Sequence, residues 1–242
     1  MEDASAVGMH LPGPVSLAFL VVLLVLLPWA ARRSARLLEG GEPARPAPTR
    51  LQYWRGAVLF QLFLLSLAWF TGSGFGFEIF AVEKVGGEDV HFAIATFLFC
   101  LGLRFLSRRV RSEAELRDLT VYSRAPRTGR EKQLFFIAAM AAAVAEEAAY
   151  RGVGWSILWY SLGNPWIAAL IMALAFAVLH WDQGWKSGAT IVGIALLLQG
   201  LVARTGSLVP AMVVHAAYDL VVGRSIQREA LRRDLQKASR EA

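Results

Sequence analysis

The chain has 242 residues, 56% of them hydrophobic and only 18% charged, with a mean hydropathy of +0.45 and a net charge of +6. Ordinary soluble domains are about 45–50% apolar and about 25% charged, so a soluble fold is excluded, as is disorder, which needs abundant charge. The one cysteine, Cys100, sits in an apolar run and excludes a disulfide scaffold, and basic residues that alternate with apolar runs argue against a nucleic-acid partner and for membrane lipids.

A spanning helix needs about 20 mostly apolar residues. Seven stretches are candidates: 15–31, 57–77, 90–106, 133–160, 165–181, 185–203 and 208–223. The first does not read as a secretory signal, because residues 1–14 hold Glu2 and Asp3 but no Lys or Arg. Pro43, Pro46 and Pro48 mark a short extended loop after it. Charge placement tests the count independently. Twenty-two of the 25 basic residues fall in the loops after the first, third and fifth stretches and in the tail. Arg45 is among them, whereas the opposite loops hold only Lys84 and Arg204, and Arg151 lies within the fourth stretch. Cytoplasmic loops are the basic ones, so the expected fold is an all-α polytopic membrane bundle of about seven transmembrane helices, N-terminus outside and C-terminus cytoplasmic. Trp29, Tyr53, Trp54, Trp181 and Trp185 then fall near the inner rim, and Trp69, Trp159, Tyr160 and Trp166 near the outer one. Residues 1–132 form a three-span front region, 133–223 a four-span core, and 224–242 a basic tail, read either as a short helix on the anionic inner leaflet or as a solvated segment.

The front spans hold almost nothing ionisable, whereas the last four hold Glu146, Glu147, Arg151, His180, His215 and Asp219. Asp, Lys or Arg at a helix centre costs about 2.5–3.5 kcal/mol on the insertion scale, so these groups must meet each other or water inside the bundle. Residues four apart share a helix face. Glu147 therefore pairs with Arg151, Phe176 shares a face with His180, and His215 with Asp219. Glu146 is turned about 100° from Glu147, toward Ala149 and Tyr150, and has no partner on its own helix. Gly152 and Gly154 read as close-packing positions, His10 and His91 as solvated outer-edge residues, and Asp182 and Lys186 as inner-rim charges.

Glu146-Glu147-x-x-x-Arg151, Phe176-x-x-x-His180 and His215-x-x-x-Asp219, in that order on successive late spans, resemble the motifs of the CPBP intramembrane proteases. That family, also called ABI, includes the type II CAAX prenyl proteases and bacterial bacteriocin-processing and self-immunity proteins. The similarity covers roughly residues 133–223. It implies an intramembrane endopeptidase in which Glu146 is the general base that activates water together with His180. His215 and Asp219 would then stabilise the oxyanion, with Glu147, Tyr150, Arg151 and Phe176 in support. Asp219 stands where the prenyl proteases carry Asn. An ionised Asp cannot donate to an oxyanion, so it is either protonated or serves to orient His215.

Independently of the name, peptide hydrolysis needs an activated water, oxyanion donors and a proton for the leaving amine. A metal-free, glutamate-dependent route without a cofactor is favoured, with Glu146, His180 and His215 the set that could hold a divalent metal. Neither H-E-x-x-H nor G-x-S-x-G occurs. Two other classes remain open at this level: a proton-coupled transporter, and a non-catalytic membrane adaptor or immunity protein of the same fold. The Ala-, Arg- and Gly-rich composition points to a multi-pass protein of a bacterial inner membrane. A membrane-associated peptide or protein is then the expected substrate, a secreted precursor or a C-terminal sorting tail before a prenylated C-terminus.

Overall fold

A computed structural model describes residues 13–39, 48–80, 85–117 and 119–241. The expectations for Glu2, Asp3, His10, Pro43, Arg45, Pro46 and Lys84 lie outside the described residues. Among those that are described the protein is all helix and loop. Helix α1 covers 14–39 and contains a π-helical stretch, Val22–Leu26. It is followed by α2 (Arg50–Ser73) and α3 (Gly87–Arg109). Two short helices, α4 (Glu113–Arg117) and α5 (Val121–Arg124), lead into α6 (Gly129–Leu162). The chain ends with α7 (Pro165–Val178), α8 (Trp185–Thr205) and α9 (Val209–Glu241).

Local chemistry sets several of these boundaries. Thr49 and Thr128 open α2 and α6 through capping boxes with Gln52 and Glu131, each satisfying two orphan backbone donors. Asn164 caps α7 ahead of Pro165, whose missing N–H costs nothing at a first helical position. Helices α6 and α8 stop at Gly163 and Gly206, which take left-handed φ values of 67° and 65°, the conformation glycine adopts most readily at a helix end.

Five helices, α1, α2, α3, α6 and α8, are long and apolar enough to cross a bilayer, and the protein is a multi-pass integral membrane protein. Helix α7 has 14 residues, about 21 Å at 1.5 Å per residue, less than the roughly 30 Å hydrocarbon core. It ends before His180, which correction matters for the site. The F-x-x-x-H spacing placed His180 inside a spanning helix. Instead, the amides of Leu179 and His180 bond back only three residues, to Phe176 and Ala177. The chain then tightens into a 3₁₀ turn, Trp181–Gln183, and reverses at Gly184 with φ 81°. The tail differs as well: α9 passes through Gly223 as one helix of 33 residues. Beyond the bundle it packs on the α5 region, where Ala230 meets Tyr122 and Ala125, Gln227 donates to Pro126 O at 3.0 Å and Arg127 bonds Asp234 at 2.7 Å.

Helix α6 is the hub. It packs along α2, against α9 and against α7, while α3 packs on α8 and α9, and α1 on α2 and α7. Buried Ala138, Ala139, Ala143 and Ala145 give α6 a smooth face that lets neighbours approach closely. Leu59 and Phe70 on α2 and Phe99 and Phe105 on α3 are exposed, as suits helices whose outer faces meet acyl chains.

The residues Glu147–Gly154 of α6 are π-helical. Bonds there span five residues, a geometry that concentrates at functional sites. A Cβ added at Gly154 would lie 2.7 Å from the backbone oxygen of Ala149 and 2.9 Å from Met172 Cε. Gly→Ala in an ordinary helix interior stabilises by about 1 kcal/mol. At position 154 the sign is expected to reverse, with a loss of about 1–3 kcal/mol from overpacking. Thermal unfolding of Gly154→Ala in detergent checks this, with Gly102→Ala, where nothing lies within 4 Å, as the control.

Candidate active site

The π-helical stretch begins directly after Glu146, and the two adjacent carboxylates leave α6 in different directions, as neighbouring helical residues do. Glu147 is fully buried. Its Oε1 accepts from His215 Nδ1 at 2.8 Å and lies 3.4 Å from Arg151 Nη1. The i, i+4 partner expected for Glu147 is thus present, but the shorter contact is to a residue 68 positions away on α9. Arg151 is 3% exposed, and its guanidinium lies over the Phe176 ring, 4.6 Å from the centroid, a cation–π contact. Phe176 in turn meets Tyr150 and His180 edge-on, with centroids 5.1 and 5.0 Å apart.

Glu146 turns toward α2. Gln61 Nε2 donates to its Oε1 at 2.7 Å. The other oxygen, Oε2, lies 3.8 Å from His215 Nε2, and Asp219 Oδ2 lies 3.7 Å from the same nitrogen. Both separations exceed a direct hydrogen bond, yet a single water can touch both partners across such a gap. The ring of His215 is therefore oriented by Glu147 through Nδ1, with Asp219 flanking its other side.

Partner chemistry assigns the tautomers. A carboxylate only accepts, so His215 Nδ1 carries the proton in its bond to Glu147. His180 Nδ1 lies 3.2 Å from Phe176 O, again an acceptor. Its Nε2 is left to the cavity, the usual way a backbone carbonyl selects a tautomer. His180 lines the same cavity as Glu146, His215 and Asp219, without a hydrogen bond to any of them. That cavity measures about 370 Å³. Among the described residues, no group of three or more His, Cys, Asp and Glu side chains is placed to hold a metal ion.

Residues 131–221 match the family model described as type II CAAX prenyl endopeptidase Rce1-like. The match agrees with the CPBP resemblance carried by the three motifs. The matched segment contains Glu146, Glu147, Tyr150, Arg151, Phe176, His180, His215 and Asp219. No curated protein and no solved structure matches the chain.

One site residue escaped sequence reasoning altogether. Gln61 lies outside the matched segment, is 7% exposed and touches Glu146. It carries no charge, so a search for ionisable groups passed over it, although it is a lone amide in the apolar run 56–70. Asp182 and Lys186, read as plain interfacial charges, tie the 110–127 segment down through Arg124 and Glu115.

Two substitutions separate holding from reacting. Glu147→Ala leaves Arg151 buried without a counter-charge and His215 Nδ1 without its acceptor, and is expected to destabilise by about 3–5 kcal/mol, seen as a large fall in unfolding midpoint. Gln61→Leu removes one hydrogen bond to a charged group, worth about 1.5–3 kcal/mol, and should disorder the Glu146 carboxyl while the helix content by circular dichroism is retained.

Proposed function

We propose that the protein is an intramembrane endopeptidase that hydrolyses a peptide bond of a membrane-associated substrate without a metal. The observation that carries the reading is the gathering of Glu146, His180, His215 and Asp219 around one cavity, from three elements remote in sequence. The family match over the same segment supports it.

In this reading Glu146 takes a proton from a water whose oxygen attacks the scissile carbonyl carbon, and the carbonyl electron pair moves onto its oxygen. His180 Nε2 shares the attacking water and passes the proton that Glu146 took on to the leaving amine as the C–N bond breaks and the carbonyl re-forms, which returns Glu146 to its carboxylate. His215 Nε2, when protonated, donates to the oxyanion, with Asp219 beside it favouring that proton. Glu147 and Gln61 hold the ring and the base in place, which is where pre-organised catalysis gains most.

The finer topology belongs to the same proposal. Counting α7 and the front of α9 with the five long helices gives seven spans in a bacterial inner membrane, with the N-terminus outside and the basic loops and C-terminus inside. The cavity then opens toward the cytoplasm, since it is also lined by Tyr53, Arg108, Arg124 and Gln183 from the basic side. A precursor peptide or a C-terminal sorting tail is the substrate class that fits such an entrance.

The test is genetic and chemical together. In cells lacking the protein, uncleaved membrane-tethered precursors are expected to accumulate in a terminal-peptide proteome. Wild type should restore cleavage, and Glu146→Ala or His180→Ala should lower it by at least 10²-fold, the scale of general acid–base loss, with expression unchanged. Cleavage retained in either variant refutes the assignment.

A further inference from the structure

The cavity has a second wall of unlike chemistry. Helix α3 presents Arg104 and Arg108 to it, four apart and so on one face, and Arg111, two residues past the end of α3, lines it as well. Cys100, on the same line, is fully buried at the deep end. Arg104 and Arg108 lie about 6 Å apart along the axis at 1.5 Å per residue.

The other two cations that line the cavity are each answered by a carboxylate: Arg124 pairs with Asp182 and Arg151 with Glu147. Lys186 lies 2.8 Å from Glu115 and, by that hydrogen bond first, holds its carboxyl down at about 2. Among the described residues no carboxylate pairs with Arg104, Arg108 or Arg111. Arg104 lines the cavity together with Tyr218, and Arg111 donates to Ser187 Oγ at 2.7 Å while its Nε is buried with no acceptor. Like charges one turn apart on a helix repel, and half-burying guanidinium groups adds a desolvation cost.

A topogenic role explains these residues less well. The neighbouring Arg109 is exposed, lies over the Phe105 ring at 5.0 Å and does not line the cavity. It supplies inside-positive charge without any of this cost. What distinguishes the other three is that they line the space holding Glu146, His180, His215 and Asp219.

We propose that the Arg104–Arg108–Arg111 cluster is an anion subsite of the catalytic cavity, taking a carboxylate or phosphate oxyanion on the molecule that enters it. The inference rests on the cavity being the substrate site. Planar guanidinium groups suit this chemistry, since they bind carboxylate and phosphate oxygens in pairs. With its anionic group held toward the inner end of α3, an entering chain is given a direction, its neutral part lying toward Glu146.

The full chain in phosphatidylcholine nanodiscs is titrated with N-dodecanoylglycine, with its primary amide and with dodecyl phosphate, each corrected for partition into empty discs. The two anions should bind saturably and at least ten-fold more tightly than the amide, a comparison that needs no variant. Arg104→Gln and Arg108→Gln should each weaken the anions by about ten-fold, the loss of a charge-assisted hydrogen bond, and leave the amide unchanged. Arg109→Gln should change nothing. Phosphatidylglycerol that displaces N-dodecanoylglycine at low mole fraction identifies a lipid headgroup as the natural anion; failure to displace identifies a group carried by the substrate. Equal binding of acid and amide, no saturable binding, or equal effects of Arg108→Gln and Arg109→Gln would overturn the proposal. Binding is read without cleavage, so this outcome leaves the proteolytic role of Glu146 to its own test.

Discussion

The contact on which the site depends is the buried carboxylate of Glu147 between His215 and Arg151. It joins α6 to α9 in the protein interior, where Glu147 and Arg151 are almost wholly shut off from solvent, and it does so from the one stretch of α6 that is π-helical. A buried ion pair adds little net stability by itself, but breaking one is costly because the surviving charge is left uncompensated. The clasp therefore acts mainly on specificity of arrangement. It fixes which nitrogen of His215 carries a proton and which way the ring faces, and the position of Nε2 relative to Glu146 and Asp219 follows.

The front of the molecule has a part in this that its composition conceals. Residues 131–221 carry the family match, yet Glu146 takes its hydrogen bond from Gln61 on α2, and one wall of the cavity belongs to α3. The packing of α2 along α6 makes the first of these possible. An amide is a suitable partner there: it donates to a carboxylate without adding a second charge to a region of low dielectric.

The all-helical class, the membrane setting and the position of the long spans were legible because apolar runs of spanning length admit few alternatives in lipid. The Glu147–Arg151 pair and the shared face of His215 and Asp219 were legible because helical spacing is local information. The Glu147–His215 and Gln61–Glu146 bonds were not, since contacts 68 and 85 residues apart depend on how whole helices dock. The π-helical register of residues 147–154 hid because the same residues suit an ordinary α-helix, the far commoner form. His180 was assigned to a helix that stops two residues sooner, because the glycine that turns the chain, Gly184, comes after the residue whose backbone has already left the helix.

The central claim is that Glu147 and His215 act as one unit across α6 and α9, and a double-mutant cycle on unfolding free energy in mixed micelles measures that directly. Glu147→Gln, His215→Gln and the double variant are expected to yield a coupling of about 1.5–3 kcal/mol, within the range for residues in one buried network. Additivity to within about 0.5 kcal/mol would mean that the two side chains do not meet, and the account of the site would fail with it.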